Sequence, residues 1–583
     1  MARAAEREEE PMSYAWQIAN PDEEVIKKIA QELGISDLLS RCLVNRDISN
    51  PQIAKEFLFP KLSHLAPPEL IPNLTRAVDR LFDAREQKQK VVIFGDYDVD
   101  GITSTAILLD CMQALGWDVC AYLPDRVDEG YGLTSEGVDN CVERHTPSLL
   151  LAADCGSTSI EVIARLQAQG VDVIVLDHHQ VSDPPPEPIA LVNPQLNPNG
   201  PNAFHEFCTA GLAFKLAHGL IKQGRTNGES VFEDYDIRLL LDLVALGTIA
   251  DMVPLASENR ILAVKGLEQL NRTERTGLSA LISESNIDGT IGSFEVGFQL
   301  GPRINAAGRL DSATTSLDLL TSSDQKNALE LAARLDHHNR ERQKVEKEIT
   351  RQVRERLNSR FNPITDYAIV EGDPDWNIGV VGIVASRIQK EFYRPTFILG
   401  GGSEGMRGSG RSIKGFDLAA ALCQCSGIIN RHGGHAMAAG VSLDSDKIDT
   451  FGKRLNEIAR DELSESLLTP SLRLDGELPL SKLSFNTVAS LEALQPVGQG
   501  IPAVQLAVNG LEMNAPVKWI GAEKQHAKMN VTDGEETVEV VYWNALGNSM
   551  PKGRFNLAVQ PSINTWRGRK SVQLKMLDWE PSS

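Results

Sequence analysis

From about residue 76, short apolar runs alternate with stretches in which apolar residues recur at helical spacing. Short apolar runs are typical of buried strands, and a recurrence every three or four positions is typical of helices. The predicted strands are 91–94, 119–123, 149–153 and 171–176, and the predicted helices are 103–115 and 159–169. Strands that alternate with helices in this way predict an α/β fold with a parallel sheet.

The rest of the chain has other patterns. Apolar periodicity over 25–39 predicts helix before the sheet, and a long charged helix and a glycine-rich α/β stretch follow it. Strand-like alternation at 536–543 and 571–577 predicts a small β-barrel at the end. We therefore predict an N-terminal helical lead-in (1–75), a parallel α/β domain (76–323), a connecting helix (324–360), a smaller α/β domain (361–470) and a C-terminal β-barrel (471–583).

Length and composition indicate a multidomain globular protein. At 583 residues the chain is too long for one ordinary core, and 42% hydrophobic with 23% charged residues is typical of a globular enzyme. The segment Met1–Met12 is acidic and lacks an apolar stretch, so we expect no secretory signal. The most apolar stretch, 239–253, is interrupted by Asp242 and Asp251 and is too short to span a bilayer, so we expect no membrane association.

The eight cysteines predict neither a disulfide framework nor a zinc site. Only Cys423 and Cys425 are close in sequence, and no second pair accompanies them. We interpret the cysteines as buried, reduced thiols of a cytoplasmic protein.

The net charge of −21 argues against nucleic-acid binding, because phosphate contacts need Lys and Arg. The charge is unevenly placed, however, and basic residues cluster near the C-terminus at Arg567, Arg569, Lys570 and Lys575. A bound divalent cation would also offset part of the acidic charge. The charge therefore weakens a nucleic-acid-binding hypothesis without excluding it.

Acidic residues and histidines directly follow three of the predicted strands. The carboxyl ends of parallel strands line one edge of a sheet, so these side chains converge on one crevice. A further apolar run, 239–250, ends at Asp251, and we expect it to supply a fourth strand end. Oxygen-rich clusters with imidazoles suit Mg²⁺ and Mn²⁺, and two such ions about 4 Å apart can hydrolyse phosphoesters. The candidate metal ligands are Asp96, Asp98, Asp100, Asp154, His178, His179 and Asp251.

Simpler interpretations exist for parts of this set. A single aspartate after a strand is usually a turn residue or a helix cap. Asp96, Asp98, Asp100 and Gly101 also match the start of an EF-hand calcium loop. That loop needs glutamate at its twelfth position, where this chain has Ile107, so we reject it. Several strand ends that carry acids together favour a metal site.

Eight motifs resemble those of a known enzyme family. GDYDVDG (95–101), ADCGS (153–157), DHH (177–179) and ALGTIADMVPL (245–255) resemble the motifs of the DHH phosphoesterases. GPRINAAGRLDSA (301–313), GIVASR (382–387), GSGRS (408–412) and GGHAMAAG (433–440) resemble the bacterial RecJ branch. The resemblance implies a DHH catalytic domain, a connecting helix, a DHHA1 domain and an OB-type barrel. It also implies 5′ to 3′ exonuclease activity on single-stranded DNA, in DNA repair and recombination.

The same resemblance implies roles for the candidate ligands. Asp98 and Asp154 would hold one of two Mn²⁺ or Mg²⁺ ions, and Asp100, Asp154, His178 and Asp251 the other. Asp96 and His179 would be supports or additional ligands, and Asp177 would orient the two histidines. Water activated by the metals would be the nucleophile, so no Ser or Cys nucleophile is required.

The resemblance also implies residues that recognise the DNA end. Arg126, Ser409 and Arg411 would meet the terminal phosphate, and Arg309 and His435 would lie beside the scissile phosphate. Guanidinium groups bind phosphate through two hydrogen bonds, and glycines allow backbone N–H groups to approach it. A surface salt bridge for each arginine and a turn position for His435 are the simpler alternatives. Near the C-terminus, Trp566 and the neighbouring basic residues could combine base stacking with phosphate contact.

Two rival functions follow from the same motifs. One is a DHH phosphodiesterase acting on short oligoribonucleotides or cyclic dinucleotides, and the other is a single-strand-binding scaffold without catalysis. Asn377 stands where the family commonly has His, and Gly500-Ile501-Pro502 replaces its usual Gly-Asn-Pro. A monomer is expected, with a single-strand-binding protein and a helicase as the partners that the family implies. A second Asp-His-His at 336–338 lies in a charged helical pattern, which predicts a solvated helix face instead of a metal site.

Overall fold

A computed structural model describes residues 14–125, 129–130, 132–196, 204–310, 312–402, 405–566 and 568–582. Contacts between Cα atoms divide the chain into two compact units. Unit one consists of Met1–Pro51, Arg342–Glu492 and Ala503–Ser583, and unit two consists of Gln52–Glu341 and Ala493–Pro502. The predicted lead-in is therefore divided between the two units, with the boundary after Pro51.

The N-terminal segment is mainly helical, as its pattern predicts. Strand β1 (Ala15–Ile18) is followed by α1 (Glu23–Leu33), α2 (Asp37–Val44) and α3 (Pro51–Leu58). The periodic stretch over 25–39 is two helices and not one, because Gly34 ends α1 in a left-handed conformation with φ of 66°. The Ser36 side chain then accepts a hydrogen bond from the Leu39 N–H and begins α2.

Unit two is built on a five-stranded parallel sheet, which confirms the predicted α/β fold. Its strand order is β3-β2-β4-β5-β6. The first four strands of this sheet in chain order were predicted, and the fifth is a short buried strand that the pattern missed. The strands are β2 (Val91–Gly95), β3 (Val119–Tyr122), β4 (Leu149–Ala153), β5 (Asp172–Leu176) and β6 (Ala190–Val192).

Helices surround this sheet and continue after it. An irregular π-helical turn, Val296–Leu300, separates two of the later helices. The helices up to this turn are α4 (Leu74–Glu86), α5 (Val99–Ala114), α6 (Ser135–His145), α7 (Ile160–Ala168), α8 (Thr209–Thr226), α9 (Ser230–Asp234), α10 (Leu241–Ala250), α11 (Ser257–Leu270), α12 (Thr276–Glu284) and α13 (Ser293–Glu295). The helices after it are α14 (Gly301–Leu310), α15 (Thr314–Thr321) and the long α16 (Gln325–Arg360).

The apolar run 239–250 is helical, so the prediction of a fourth strand end at Asp251 was wrong. The run contains the end of a 3₁₀ turn and the whole of α10, and Asp251 caps the helix at its C-terminus. Every residue from Leu241 to Ile249 is buried. A helix that is apolar on all faces shows no helical periodicity, so its sequence resembles a buried strand.

Unit one contains a second, mixed sheet in the order β10-β11-β9-β8-β7. Only β7 and β8 pair in parallel, and the remaining pairs are antiparallel. Its core includes Phe397 and Phe451, whose rings meet edge to face at 5.3 Å between centroids. The elements are β7 (Ile369–Gly372), α17 (Val381–Phe392), β8 (Thr396–Gly400), β9 (Met406–Arg411), α18 (Leu418–Cys423), β10 (Arg431–Gly434), β11 (Ala438–Leu443) and α19 (Ile448–Glu462).

The C-terminal part of unit one is the predicted barrel. Strand β14 pairs with both β18 and β16, which closes the ring β14-β16-β17-β19-β18. Five strands closed in this way form an OB-type barrel. Strand β12 (Ser471–Leu474) pairs in parallel with β1 in a separate two-stranded sheet. The elements after it are β13 (Gly476–Glu477), α20 (Phe485–Ser490), β14 (Leu506–Met513), β15 (Lys518–Ile520), β16 (His526–Thr532), β17 (Thr537–Tyr542), β18 (Arg554–Trp566) and β19 (Arg569–Pro581).

Two further expectations concern the whole chain. All eight cysteines lie in the described part of the structure, and each is a free thiol. Six are buried as expected, but Cys120 is only partly buried and Cys423 is exposed, so the expectation of burial was wrong for these two. Among the helices that the structure describes, none has the length and apolar character needed to cross a membrane.

Candidate metal centre

Side chains from three strand ends meet at the carboxyl edge of the unit-two sheet. Asp96 and Asp98 follow β2, Asp154 follows β4, and the histidines follow β5. Asp98 also caps α5, since its Oδ1 accepts a hydrogen bond from the Gly101 N–H at 3.0 Å. The turn requires glycine at 101, because an added Cβ would lie 2.6 Å from the Asp96 carbonyl oxygen.

Three groups of possible ligand atoms result from this arrangement, and two of them share a residue. Within each group the atoms lie within 4.8 Å of one another. All seven predicted ligands are included, Cys208 is an additional member, and Asp154 belongs to two groups. The groups are Asp96 with Asp98 and Asp154, Asp154 with His178 and His179, and Asp100 with Cys208 and Asp251.

The imidazole of His178 shows that these residues fit a cation. Its Nε2 lies 3.8 Å from Asp100 Oδ2, 3.5 Å from Asp154 Oδ1 and 3.7 Å from Asp251 Oδ2. This nitrogen is buried and has no hydrogen-bond partner among the described residues. Burial lowers the pKa of His178, so the neutral ring presents a lone pair towards carboxylate oxygens. A divalent cation is a group that such a nitrogen and such oxygens bind together.

The carboxylates repel one another in the absence of a cation. Burial and the charges of Asp100, Asp98 and Asp96 raise the pKa of Asp154 well above its usual value. Burial and then Asp100 raise the pKa of Asp98 in the same way. Burial, Asp100 and Asp98 raise the pKa of Asp251 to about 8. Positive charge from a bound metal would reverse each of these shifts, which is the pattern expected of a cation site.

Asp154 also has an unusual backbone conformation. Its φ is 66°, in the left-handed region, which costs a non-glycine residue about 1 to 3 kcal/mol and is found mostly at functional sites. The next glycine, Gly156, has φ of 109°, so the chain turns sharply after β4. This turn points the Asp154 carboxylate into the cluster and not along the strand direction.

Asp177 hydrogen-bonds to both histidines, to the backbone of His178 and to the ring of His179. Its Oδ1 accepts hydrogen bonds from the backbone N–H of His178 at 2.8 Å and from His179 Nδ1 at 2.8 Å, and its Oδ2 accepts one from the Ser157 N–H. Burial alone would raise the pKa of Asp177, but the hydrogen bonds from His179 and Ser157 hold it below its usual range. Burial alone would lower the pKa of His179, but Asp177 and Asp251 raise it to about 9. If Nδ1 keeps its proton on Asp177 when a cation binds, Nε2 is the ring nitrogen left as a ligand atom.

The sequence did not indicate the contribution of α8. The backbone N–H groups of Thr209 and Ala210 donate to Asp100 at 2.6 and 2.8 Å, one to each carboxylate oxygen. The Thr209 hydroxyl donates to Asp154 Oδ1 at 2.8 Å. Helix α10 approaches closely at Gly247, where a Cβ would lie 2.5 Å from the Ala210 Cβ and 3.0 Å from Asp100 Oδ1. The only local signal for this contact is a helix start after Cys208.

Among the residues predicted to recognise the DNA end or the scissile phosphate, Ser409, Arg411 and His435 have side chains that the structure describes. Arg126 lies outside the described residues, and Arg309 is on α14 with its side chain outside the description. Ser409 and Arg411 are on β9 of unit one, where Arg411 Nη1 donates to the Gly410 carbonyl at 2.8 Å. Burial lowers the pKa of Arg411. His435 is exposed in the hairpin between β10 and β11, where its N–H donates to the Ala438 carbonyl.

The second Asp-His-His lies on α16, and one part of its interpretation was wrong. The segment is helical as predicted, and His337 is exposed. Asp336, however, is buried, and its carboxylate accepts hydrogen bonds from Arg303 Nε at 3.0 Å and pairs with Arg340 Nε at 2.6 Å. This face of the helix packs against α14 through an ion pair and is not fully solvated. In the part of the chain that the structure describes, these histidines join no group of possible metal ligands.

Near the C-terminus, the hairpin between β18 and β19 carries the remaining predicted DNA contacts. Arg569 and Lys570 are exposed at the start of β19. Arg567 and the side chain of Trp566 lie outside the described residues, so their proposed stacking and phosphate contacts stay predictions.

Comparison with known families and structures agrees with this architecture. The profile of the DHH family, N-terminal domain, matches residues 90–248. The DHHA1 domain matches residues 365–461, and the RecJ OB domain matches residues 474–578. These three matches cover the parallel sheet, the second sheet and the barrel in that order.

Individual relatives extend the match over almost the whole chain. The single-stranded-DNA-specific exonuclease RecJ of Bacillus subtilis (strain 168) is 37% identical over 569 residues, which cover 97% of this chain and 70% of the relative. Crystal structures of RecJ from Thermus thermophilus match with TM-scores of 0.83 for the Mn²⁺ complex, at 29% identity, and 0.77 for the Mg²⁺ complex, at 28% identity. They cover 98% of this chain and 80% and 79% of theirs. The chain therefore belongs to the RecJ family of DHH proteins.

Proposed function

We propose that this chain is a metal-dependent exonuclease that removes nucleotides from the 5′ end of single-stranded DNA. The observation that carries the proposal is the carboxylate of Asp154, which two groups of possible metal ligands share. Phosphodiester hydrolysis by two metals needs such a shared carboxylate. The relative in Bacillus subtilis is named a single-stranded-DNA-specific exonuclease, and the related structures hold Mn²⁺ or Mg²⁺.

The protein holds two Mn²⁺ or Mg²⁺ ions in this proposal. As the family resemblance implies, Asp98 and Asp154 would bind one of them, and Asp100, Asp154, His178 and Asp251 would bind the other. Asp96 and His179 complete the set. When bound, the cations polarise the phosphodiester and allow water to act as the nucleophile near neutral pH.

The side chains around the ligands have separate tasks. Asp177 keeps a proton on His179 Nδ1 and so fixes the orientation of that ring. The N-terminus of α8 holds the Asp100 carboxylate through two backbone hydrogen bonds. Its partial positive charge also offsets part of the repulsion between the acids. Because water is the nucleophile in this proposal, the site needs no serine or cysteine nucleophile.

Recognition of the strand and its end belongs to other residues. We expect Arg126, Ser409 and Arg411 to bind the 5′-terminal phosphate, and Arg309 and His435 to contact the scissile phosphate. The exposed Arg569 and Lys570 on the OB-type barrel would contact the backbone of the bound strand. In this proposal the DHH, DHHA1 and OB segments follow the boundaries predicted at 76–323, 361–470 and 471–583.

The rival functions make different demands on the chain. A scaffold without catalysis would not need to retain every carboxylate, yet all seven predicted ligands are gathered in the three groups. An enzyme for short oligoribonucleotides or cyclic dinucleotides has less need of a barrel, whereas OB-type barrels bind extended single strands. We propose that the chain acts in DNA repair and recombination, in the cytoplasm. It would act as a monomer, with a single-strand-binding protein and a helicase as partners.

One assay separates these functions. Single-stranded DNA labelled at either end, the matching duplex, a short RNA and a cyclic dinucleotide are incubated with protein in Mn²⁺ or in a chelator. We expect Mn²⁺-dependent loss of the 5′ label from the single strand before the 3′ label, and little release from the duplex. The Asp154→Asn protein, which keeps the size of the side chain, is the matched inactive control. Preferred cleavage of the RNA or the cyclic dinucleotide, or no cleavage of any substrate, would contradict the proposal.

A further inference from the structure

One hydroxyl group contacts the shared carboxylate directly. Thr209 is the first residue of α8 and is fully buried. Its Oγ1 donates to Asp154 Oδ1 at 2.8 Å, and its backbone N–H donates to Asp100 Oδ2 at 2.6 Å. One residue therefore hydrogen-bonds to two of the candidate metal ligands, through two different groups.

The hydroxyl bond fixes an orientation that is otherwise free. The last side-chain torsion of an aspartate has broad minima, so the carboxylate plane turns easily unless something holds it. In Asp154 the oxygen bound by Thr209 is the one that lies 3.5 Å from His178 Nε2 and 3.9 Å from His179 Nδ1. Holding that oxygen towards the histidines directs the other oxygen away from them. Asp96 and Asp98 are the other members of the second group of possible metal ligands that includes Asp154.

We infer that Thr209 is a positioning residue that sets the Asp154 carboxylate so that both divalent cations bind at once. The inference rests on the proposed two-cation function of the site. Thr209 itself contacts neither a cation nor the substrate, and its effect passes through Asp154. Changes at residues that orient metal ligands typically weaken metal affinity by about 10- to 100-fold, and we expect that effect here.

Two substitutions separate the hydroxyl bond from packing. Thr209→Val keeps the branched shape and removes the hydroxyl, whereas Thr209→Ser keeps the hydroxyl and removes a methyl group. Both keep the backbone N–H that binds Asp100. If the hydroxyl bond matters, Val is defective and Ser restores the wild-type behaviour, whereas a packing role gives the opposite ranking.

A matched control lies on the neighbouring helix. Thr103 on α5 is also fully buried, but its hydroxyl donates to backbone carbonyls of its own helix, to Val99 at 2.7 Å and to Asp100 at 3.2 Å. Thr103→Val is therefore the same chemical change at a similar depth, but the bonds it removes go to backbone carbonyls and not to a ligand carboxylate. We expect it to leave Mn²⁺ binding within about threefold of the wild type, since an isolated bond of this kind contributes about 1 kcal/mol or less.

The experiment titrates each full-length protein with Mn²⁺ and measures free and bound ion by electron paramagnetic resonance. We expect two ions per wild-type chain, with the spectrum of an exchange-coupled pair. Thr209→Val is expected to bind at least one ion about 10- to 100-fold more weakly and to lose the coupled spectrum, and Thr209→Ser to keep both.

The possible results lead to different conclusions. If the wild type binds no Mn²⁺, the proposed function itself fails. If the wild type binds two ions and Thr209→Val binds them equally well, the inference is overturned, as it is when Val and Ser are equally defective. Circular dichroism identifies a variant that does not fold. In that case Thr209→Ala, which also lacks the hydroxyl, takes the place of Val with the same expected result.

Discussion

Replacing His337 and His338 together by alanine tests where the metal site lies, because these histidines repeat the Asp-His-His sequence outside the strand ends. The matched change is His178→Ala with His179→Ala. We expect the first double variant to keep its Mn²⁺-dependent exonuclease rate within a factor of about two, because surface changes of this kind alter stability by about 0.5 kcal/mol or less. We expect the second to lose about three orders of magnitude, or about 4 kcal/mol of transition-state stabilisation.

The surroundings of each pair give these magnitudes. His337 is exposed and His338 is half-buried on α16, and alanine is a better helix former than histidine at both positions. His178 instead has three carboxylate oxygens within 3.8 Å of its Nε2. Its loss removes a nitrogen ligand from a buried cluster of acids, and a metal contributes several kcal/mol to phosphodiester hydrolysis.

The assay measures the initial rate of nucleotide release from labelled single-stranded DNA in Mn²⁺, together with the number of bound Mn²⁺ ions. Thermal unfolding followed by circular dichroism shows that each variant is folded. If the folded variant at 337 and 338 loses more than tenfold in rate, the catalytic centre has been assigned to the wrong element. The same conclusion follows if the variant at 178 and 179 keeps more than a few per cent of the rate.

Three further changes test other parts of the molecule. Asp154→Ala is expected to abolish hydrolysis but to leave single-stranded DNA binding, measured by fluorescence anisotropy, largely intact, because DNA contacts come mainly from Arg and Lys. Residual activity above a few per cent would contradict the ligand assignment. Arg411→Ala is expected to reduce the rate on 5′-phosphorylated ends more than on unphosphorylated ends, and an unchanged ratio of the two rates would remove it from the phosphate site. Asp336→Ala leaves the guanidinium of Arg303 without its buried carboxylate, so we expect the free energy of unfolding in urea to fall by up to about 3 kcal/mol while Mn²⁺ binding stays unchanged. A loss of Mn²⁺ binding in the folded variant would contradict this structural role.

The sequence predicted the sheet because parallel strands buried on both faces are continuous apolar runs. β2, β4 and β5 begin or end within two residues of their predictions, and each is followed directly by polar ligands. An aspartate after such a run is conspicuous, so local pattern was enough to select nearly the whole set. The barrel was predicted from the alternation of apolar and polar residues at 536–543 and 571–577, and these stretches overlap β17 and β19.

Where the sequence failed, the information was not local. The run that became α10 is buried on every face, so neither helical nor strand periodicity was visible. Asp251 was still predicted as a member of the cluster in which it lies, because the end of a buried element is a common place for a ligand whether that element is a strand or a helix. The burial of Asp336 could not be predicted either, because the charged residues around it are typical of a solvated helix and its partner Arg303 lies on α14.

The role of α8 shows the same limit most clearly. Thr209 is separated by 109 residues from Asp100 and by 55 from Asp154, so no spacing rule connects them. Its position depends on where α8 begins and on how closely α10 approaches, and Gly247 permits that approach. The same packing directs the N-terminus of α8, with its partial positive charge, at the Asp100 carboxylate. The fold thus supplies fixed positive potential and fixed donors beside the acids before any cation binds, and it does so through residues that no strand-end motif contains.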